Sequence, residues 1–312
     1  MMNILTKDDL IHIEKTLYEP KEEELIARQV VNVKSDYPSF AKEIGYDYYN
    51  RQGSAKIFAS GGRAKDITFV GEEKARETQK VYTIATGVTY DADELAEMQY
   101  RNQVAKGAVY NLDTERIATA RKYIAKTENS IFFNGNSQHN IKGILNFDGV
   151  KKEAVSNVGS GTGDQKLLFS NKTPQQILND FLNAKKFIEK NGFFKARTLL
   201  APQRSLLELE RPFSEHALIT IKQWLMQNGA YFEKTIACEE LSMDRTGLPA
   251  DAFVVFDNDP EVVQLALIEE VKTIEPVYDL IGNADMGITE KTAGAIIRHP
   301  SAFYIGYGIT KI

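Results

Sequence analysis

Ile131-Phe132-Phe133-Asn134-Gly135, running on to Ile141-Lys142-Gly143-Ile144-Leu145-Asn146, joins a charge-covered helix pattern to a compact apolar turn. Ahead of it Ile117, Ala120, Ile124, Thr127 and Ile131 recur at alternating spacings of three and four, which places them on one face of a helix from Asp113 to Phe133. The other faces carry Glu115, Arg116, Arg121, Lys122, Lys126 and Glu128. Asn134-Gly135 supplies a residue tolerant of positive φ just past the last periodic position, a helix stop. No set of catalytic residues surrounds this stretch, which is the pattern of a structural protein.

On the N-terminal side, Asp91 to Val109 reads as a helix with Leu95, Met98, Asn102, Ala105 and Val109 on one face and a bend at Lys106-Gly107. Before it, Tyr46 to Tyr90 breaks into strand-like runs, Lys56–Ala59, Ile67–Val70 and Lys80–Ala85, punctuated by Ser60-Gly61-Gly62 and Gly71. Charge of both signs is dense there: Arg51, Lys56, Arg63, Lys65, Asp66, Glu72, Glu73, Lys74, Arg76 and Glu77. A two-stranded hairpin is marginal alone in water, so this one requires support from elsewhere. Met1 to Gly45 is polar, with weak helical pattern at Leu10, Ile13 and Leu17 and at Leu25, Ile26 and Val30. It reads as an arm that packs on something else.

On the C-terminal side, Asn157 to Asp164 reads as a mobile glycine-rich loop. Thr173-Pro174-Gln175-Gln176 is a helix start with Thr as N-cap, Pro at the first helical position and Gln closing a capping box. That helix turns Ile177, Phe181, Ala184 and Ile188 inward and stops at Asn191-Gly192. Thr198–Ala201 reads as a short buried strand, Ile219–Asn228 as a helix and Ala252–Phe256 as a central strand. Val263–Leu267 reads as a half-buried strand, and Ala295–Arg298 with Ala302–Ile305 as a closing strand pair. The sum is a mixed α+β arrangement in which late strands return beside early elements.

The 312 residues suggest about two domains, and a 43% apolar content is ample for a core. No apolar run approaches the roughly 20 residues that span a bilayer, and Met1 to Asp9 lacks the pattern of a signal peptide, so a cytoplasmic setting is expected. The single cysteine, Cys238, excludes an intrachain disulfide and any cysteine-based zinc cluster, and reads as an apolar filler. A net charge of -5 without a Lys/Arg block argues against a nucleic-acid-binding tail or a cationic membrane face.

Three features invite chemistry, and each has a plainer reading. Gly159-Ser160-Gly161-Thr162-Gly163 has neither a preceding strand nor a phosphate-loop spacing, and reads as a surface loop. Asp257-Asn258-Asp259, followed by Pro260, reads as a turn in preference to a hard-cation site. His12, His139, His216 and His299 stand far apart, with no nucleophile arranged around them. The sequence thus nominates no catalytic, cofactor or metal residue.

Glu128–Asn136, Ile141–Asn146, Thr198-Leu199-Leu200-Ala201-Pro202 and the closing Gly294–Pro300 to Gly308-Ile309 resemble the major capsid proteins of tailed phages, with the Hong Kong 97 fold. The similarity covers most of the chain from about Tyr46 and rests on apolar and glycine signatures. It implies a shell protein, not an enzyme, that self-assembles through hexamers and pentamers into an icosahedral capsid around double-stranded DNA, made in the host bacterial cytoplasm. It also implies an N-terminal arm (1–45), an extended β-hairpin loop (46–90) lying over a neighbouring subunit, and a peripheral domain (91–135 and 259–299) with residues 113–133 as its spine helix. An axial domain (136–258) and a C-terminal return strand (300–312) complete the division. Arg51, Arg63, Lys65, Glu72, Glu73 and Arg76, with Arg116, Arg121 and Lys122, are the expected subunit-interface charges. Scaffold, portal and decoration proteins are further possible partners, DNA is enclosed without sequence-specific binding, and no membrane is involved. The chain departs from part of the family in showing no long N-terminal scaffolding region. Competing readings are an encapsulin-type nanocompartment shell, a cytosolic nucleotide-dependent enzyme using the Gly159–Gly163 loop, and a tail or adhesion protein.

Overall fold

The apolar turn between Asn134 and Asn146 sits where two β-sheets meet, and the rest of the architecture is organised around it. The computed structural model describes residues 25–52, 54–55, 70–104, 112–214, 219–227 and 231–311. The first sheet contains β1 (Asn32–Lys34), β9 (Val263–Thr273), β11 (Ala284–Ile297) and β10 (Val277–Tyr278) in that order, with β4 (Tyr82–Tyr90) also paired to β11. The second runs β5 (Lys151–Ala154), β12 (Phe303–Tyr307), β8 (Ala252–Phe256), β6 (Thr198–Ala201) and β7 (Lys234–Ala237). A separate hairpin pairs β2 (Glu43–Gln52) with β3 (Gly71–Lys80). Late strands do return beside early ones: β9 lies parallel to β1, and β12 parallel to β5.

The long helix forms as its periodicity predicts, as α3 (Leu112–Asn134), and Gly135 ends it at φ 69°. Ala120, Ile124 and Ile131 pack on Ile84 of β4 and Ile288 of β11. The stripe is not the predicted one at its centre. Thr127 is exposed and its hydroxyl donates to the Tyr123 carbonyl, whereas Glu128, assigned by sequence to the solvated side, is buried with Asn129. The reason is geometric: Ile124 to Glu128 is one helical turn, so Glu128 continues the stripe and needs partners to be there.

Phe132, Phe133, Ile144 and Leu145 then enter a core shared by both sheets, with Leu200, Val254, Phe256, Val263, Leu265, Ile297 and Phe303. On the far side of the second sheet lies α4 (Pro174–Glu189), opened by the predicted Thr173 capping box. Its Ile177, Phe181, Ala184 and Ile188 cover Leu199, Phe253 and Val255. Strand β8 is therefore buried on both faces, which is why it reads as an unbroken apolar run.

Several expectations are corrected. Lys80–Ala85 is not one strand: β3 ends at Lys80, Val81 intervenes and β4 begins at Tyr82. Val70 lies outside any strand, and residues 56–69, with the other two runs expected there, lie outside the described residues, as do Leu10, Ile13, Leu17 and the Lys106-Gly107 bend. Val263–Leu267 is wholly buried, because Ala266 faces a second cluster of Ile44, Ile268 and Ile296. Ala295–Ile297 and Phe303–Ile305 are not a pair: the chain leaves β11 in one sheet and enters β12 in the other, so His299-Pro300 is a crossover between layers. Ile26, Ala27, Val30 and Val31, read as part of an arm packing elsewhere, belong to this chain's own core around the short helix α1 (Ala27–Val30). The Asn157–Asp164 loop is tied down, with Gly159 N–H donating to the Lys166 carbonyl at 3.0 Å and Ser160 N–H to the Asn171 carbonyl at 2.9 Å.

Candidate assembly surfaces

The hairpin runs in unbroken register from Glu43 opposite Lys80 to Gln52 opposite Gly71. Its root is fixed: Ile44 is buried, and Gln79 donates from Nε2 to the Ala295 carbonyl at 3.3 Å. Farther out, Asp47 accepts from Arg76 Nε at 2.6 Å and pairs with Lys74 Nζ at 2.7 Å. These two cations hold its carboxyl well below the usual carboxylate range. Among the expected interface charges, Glu72 and Arg76 are exposed on β3, Arg51 stands opposite Glu72 in register, and Glu73 stands opposite Asn50. Arg63 and Lys65 lie outside the described residues.

The charges expected on α3 divide. Arg116 forks onto Glu94 of α2 (Ala92–Val104) at 2.8 and 2.9 Å and lies 5.1 Å over the Tyr90 ring, lowering the Glu94 pKa by its hydrogen bonds. It braces α3 against α2 within the chain. Arg121 and Lys122 are exposed farther along α3, beside exposed Tyr123 and Lys126.

A surface that sequence reasoning missed follows β9. Ile274, Val277, Tyr278, Leu280 and Ile281 are all exposed along β10 and the turn that follows it, Leu280 at 106% and Ile281 at 76%. The turn is built to stay in that shape. Asp279 Oδ1 accepts from the Ile281 and Asn283 amides at 3.0 and 2.8 Å, and Asn283 Oδ1 accepts from the Ala92 amide at 3.0 Å. Five large apolar side chains exposed within eight residues are concentrated rather than scattered, the pattern an interaction surface presents. Charge does not mark this segment, since Glu275 and Asp279 give it the same charge density as the chain's 26%; its run of large apolar residues is the sequence signal.

Sequence reasoning also missed the polar junction beneath α1. Arg28 reaches both buried carboxylates, Glu128 at 2.8 Å and Glu290 at 3.3 Å. Asn129 Oδ1 accepts from the Ile26 and Ala27 amides at 3.2 and 3.0 Å, while its Nδ2 donates to Glu240, which Arg245 also pairs at 3.1 Å. Burial, then the charge of Glu128, pushes the Glu290 carboxyl up to about 8 against the pull of Arg28.

The features that invited chemistry are occupied otherwise. The Gly159, Ser160 and Thr162 amides donate within their own loop, to the Lys166 and Asn171 carbonyls and to Gln165 Oε1. Asp257 accepts from the Lys195 and Asp259 amides and pairs with Arg197, forming a turn. Cys238 is buried and burial raises its thiol pKa, which removes nucleophilic character. His139 and His299 contact Tyr82 and Phe194, and His12 and His216 lie outside the described residues. Among the described residues no group of His, Cys, Asp and Glu could hold a metal ion, and no helix is long and apolar enough to cross a membrane.

Among solved structures, the chain is similar to the capsid of Myoviridae Phage XM1, with 13% identity and a TM-score of 0.77 over 98% of this chain and 99% of that one. It is similar to a chain of Mycobacterium phage Bobi at 10% identity and a TM-score of 0.62, covering 97% and 98%. It is less similar to the virus-like particle from Pyrococcus furiosus, at 14% identity and a TM-score of 0.55, covering 89% and 91%. These likenesses establish a capsid fold of the Hong Kong 97 type. No curated protein matches the chain by sequence. The family model described as major capsid protein matches residues 53–309, from the end of β2 past β12. Taking in α3, the apolar turn and the central strands of both sheets, a match of that extent makes the chain a member of the major capsid protein family.

Proposed function

We propose that this chain builds a closed icosahedral shell from hexamers and pentamers of itself, enclosing double-stranded phage DNA as the virion capsid. The observation that carries the reading is the rigid apolar turn Ile274–Ile281, which a monomer would leave in water. The hairpin supports it: ten paired residues on each strand, rooted in the core at the Ile44 end, form an extended element suited to lie along a neighbouring subunit. In this reading Arg51, Arg63, Lys65, Glu72, Glu73, Arg76, Arg121 and Lys122 set register between subunits, while Arg116 contributes through its internal brace to Glu94. Many individually weak contacts then hold the shell by multivalency. The division into arm (1–45), hairpin loop (46–90), peripheral domain (91–135, 259–299), axial domain (136–258) and return strand (300–312) is part of the proposal, with Ile26–Val31 reassigned to the core. The acidic balance suits an inner wall that does not grip DNA. Synthesis in the bacterial cytoplasm, the absence of enzymatic activity, and scaffold, portal or decoration partners complete it. The encapsulin-type alternative predicts purified shells containing a cargo protein in place of DNA.

The test is the double substitution Leu280→Asp/Ile281→Asp. Both side chains are exposed in the subunit, so its thermal stability should change by no more than about 0.5 kcal/mol. Burying each in an interface is worth about 1.5–3 kcal/mol, so the variant should lose association by about 100-fold or more per contact, read by light scattering. Unchanged assembly would remove the turn from the interface and the proposal's main support with it.

A further inference from the structure

The junction of α1, α3 and β11 places two buried carboxylates against one guanidinium. Arg28 engages Glu128 with three contacts, Nε to Oε1 at 3.2 Å, Nε to Oε2 at 2.9 Å and Nη2 to Oε2 at 2.8 Å. It gives Glu290 one longer contact at 3.3 Å. Glu290 Oε2 is buried with no hydrogen-bond partner, and the Glu290 side chain is fully enclosed while that of Arg28 is 39% exposed. One cation therefore serves two enclosed anions, and the arrangement is neutral only if one carboxyl keeps a proton. The unequal contacts assign the proton to Glu290.

Among the described residues the surrounding elements supply no second cation. On β11 itself the next residue, Lys291, turns to Glu269 at 3.0 Å, and Glu269 is also paired by Lys272 at 2.7 Å. From β4, Ile84 stands opposite Glu290 in register. From β9, Glu270 adds a further negative charge near Arg28. Arg245, beyond Asn129, is directed to Glu240. Burial opposes the charge on Arg28, but Glu128, Glu290 and Glu270 together raise its pKa, so it stays cationic throughout.

What the cluster holds is α1. Arg28 is its only ionic tie among the described residues, and Asn129, adjacent to Glu128, accepts from the amides that open it. We propose that Arg28, Glu128 and Glu290 form a protonation-dependent latch: with Glu290 neutral the segment Ile26–Val31 is seated in the core, and with Glu290 ionised the uncompensated buried charge loosens that seat. The sign follows from linkage. A carboxyl held above its unfolded value stabilises the seated state fully at acid pH, and that stabilisation is lost as pH rises through about 8. The latch thus makes the seating of Ile26–Val31 in the core a function of pH. It is internal to the subunit and stands whether or not the shell reading does.

The test is amide exchange across Ile26–Val31 in the full chain between pH 7 and pH 9, corrected for intrinsic exchange. A single proton held at about 8 predicts about a tenfold fall in protection over that range. Glu290→Gln should keep the segment protected and abolish the pH dependence. Glu128→Gln, which leaves Arg28 to compensate an ionised Glu290 alone, should weaken the pH dependence as well. Protection in the unmodified chain that is flat from pH 7 to 9 overturns the latch, as does Glu290→Gln with the full tenfold dependence. The wild-type measurement decides alone if either variant fails to fold.

Discussion

Gly143→Ala is expected to destabilise the subunit by about 3 kcal/mol, although the residue is neither in a left-handed conformation nor part of a regular element. Its φ is -100°, so alanine is torsionally acceptable there and the cost comes from close approach alone. An added Cβ would lie 2.5 Å from the Gly135 nitrogen and 2.6 Å from the Phe133 carbonyl oxygen. Both obstacles are backbone at the end of α3, so no side chain can swing away. The two strands of this turn are also closed by the Asn136–Ile141 bridge and by the Gly143 amide donating to Asn146 Oδ1 at 2.6 Å. Relief of the clash must therefore move Phe132–Phe133 or Ile144–Leu145, the residues that join the two sheets. Gly135→Ala meets the Ile141 carbonyl oxygen at 2.4 Å and adds about 1–2 kcal/mol for its φ of 69°. Denaturant midpoints in the Leu280→Asp/Ile281→Asp background, where association does not contribute, measure both. A Gly143→Ala variant within about 0.5 kcal/mol of its parent would mean that the turn is not a fixed joint.

Lys172→Met is expected to cost about 3–5 kcal/mol, the penalty for leaving a buried charge without its partner. The Lys172 and Asp180 side chains are 0% and 2% exposed and meet at 2.6 Å. Burial lowers the lysine pKa, and Asp180 also accepts from the Ser156 amide at 3.1 Å and from its hydroxyl. The pair pins the loop before α4 to the body of that helix. Without Lys172, the enclosed Asp180 is left as an uncompensated buried charge. Lys172→Met/Asp180→Asn, which removes both charges and keeps an acceptor for Ser156, should recover most of the loss. Thermal unfolding of the single and double variants reads both effects, and a double variant no more stable than Lys172→Met would show that packing rather than charge sets the cost.

Much of this was legible in the sequence where one local rule fixes the outcome. The Thr173–Gln176 capping box, the Gly135 stop and the doubly buried β8 each follow from a few adjacent residues. Errors arose where burial depends on distant partners. Glu128 looks like a solvated helix charge until Arg28 and Glu290 are brought to it, and Thr127 fitted the stripe only by its spacing. Ala295–Ile297 and Phe303–Ile305 look like a hairpin because the intervening residues are turn formers, and periodicity cannot reveal that the strands belong to different sheets. The expected interface charges were chosen for density, yet Arg116 and Arg76 find partners within the chain. The apolar turn escaped notice because apolar residues are presumed buried, and only the structure exposes Leu280 and Ile281.

The most direct test of the central claim is light scattering with negative-stain microscopy on the purified chain, alone and co-expressed with the products of its neighbouring genes. Closed shells or hexameric and pentameric capsomers are expected, and their loss in the Leu280→Asp/Ile281→Asp variant. A chain that stays monomeric at all concentrations under both conditions would contradict it.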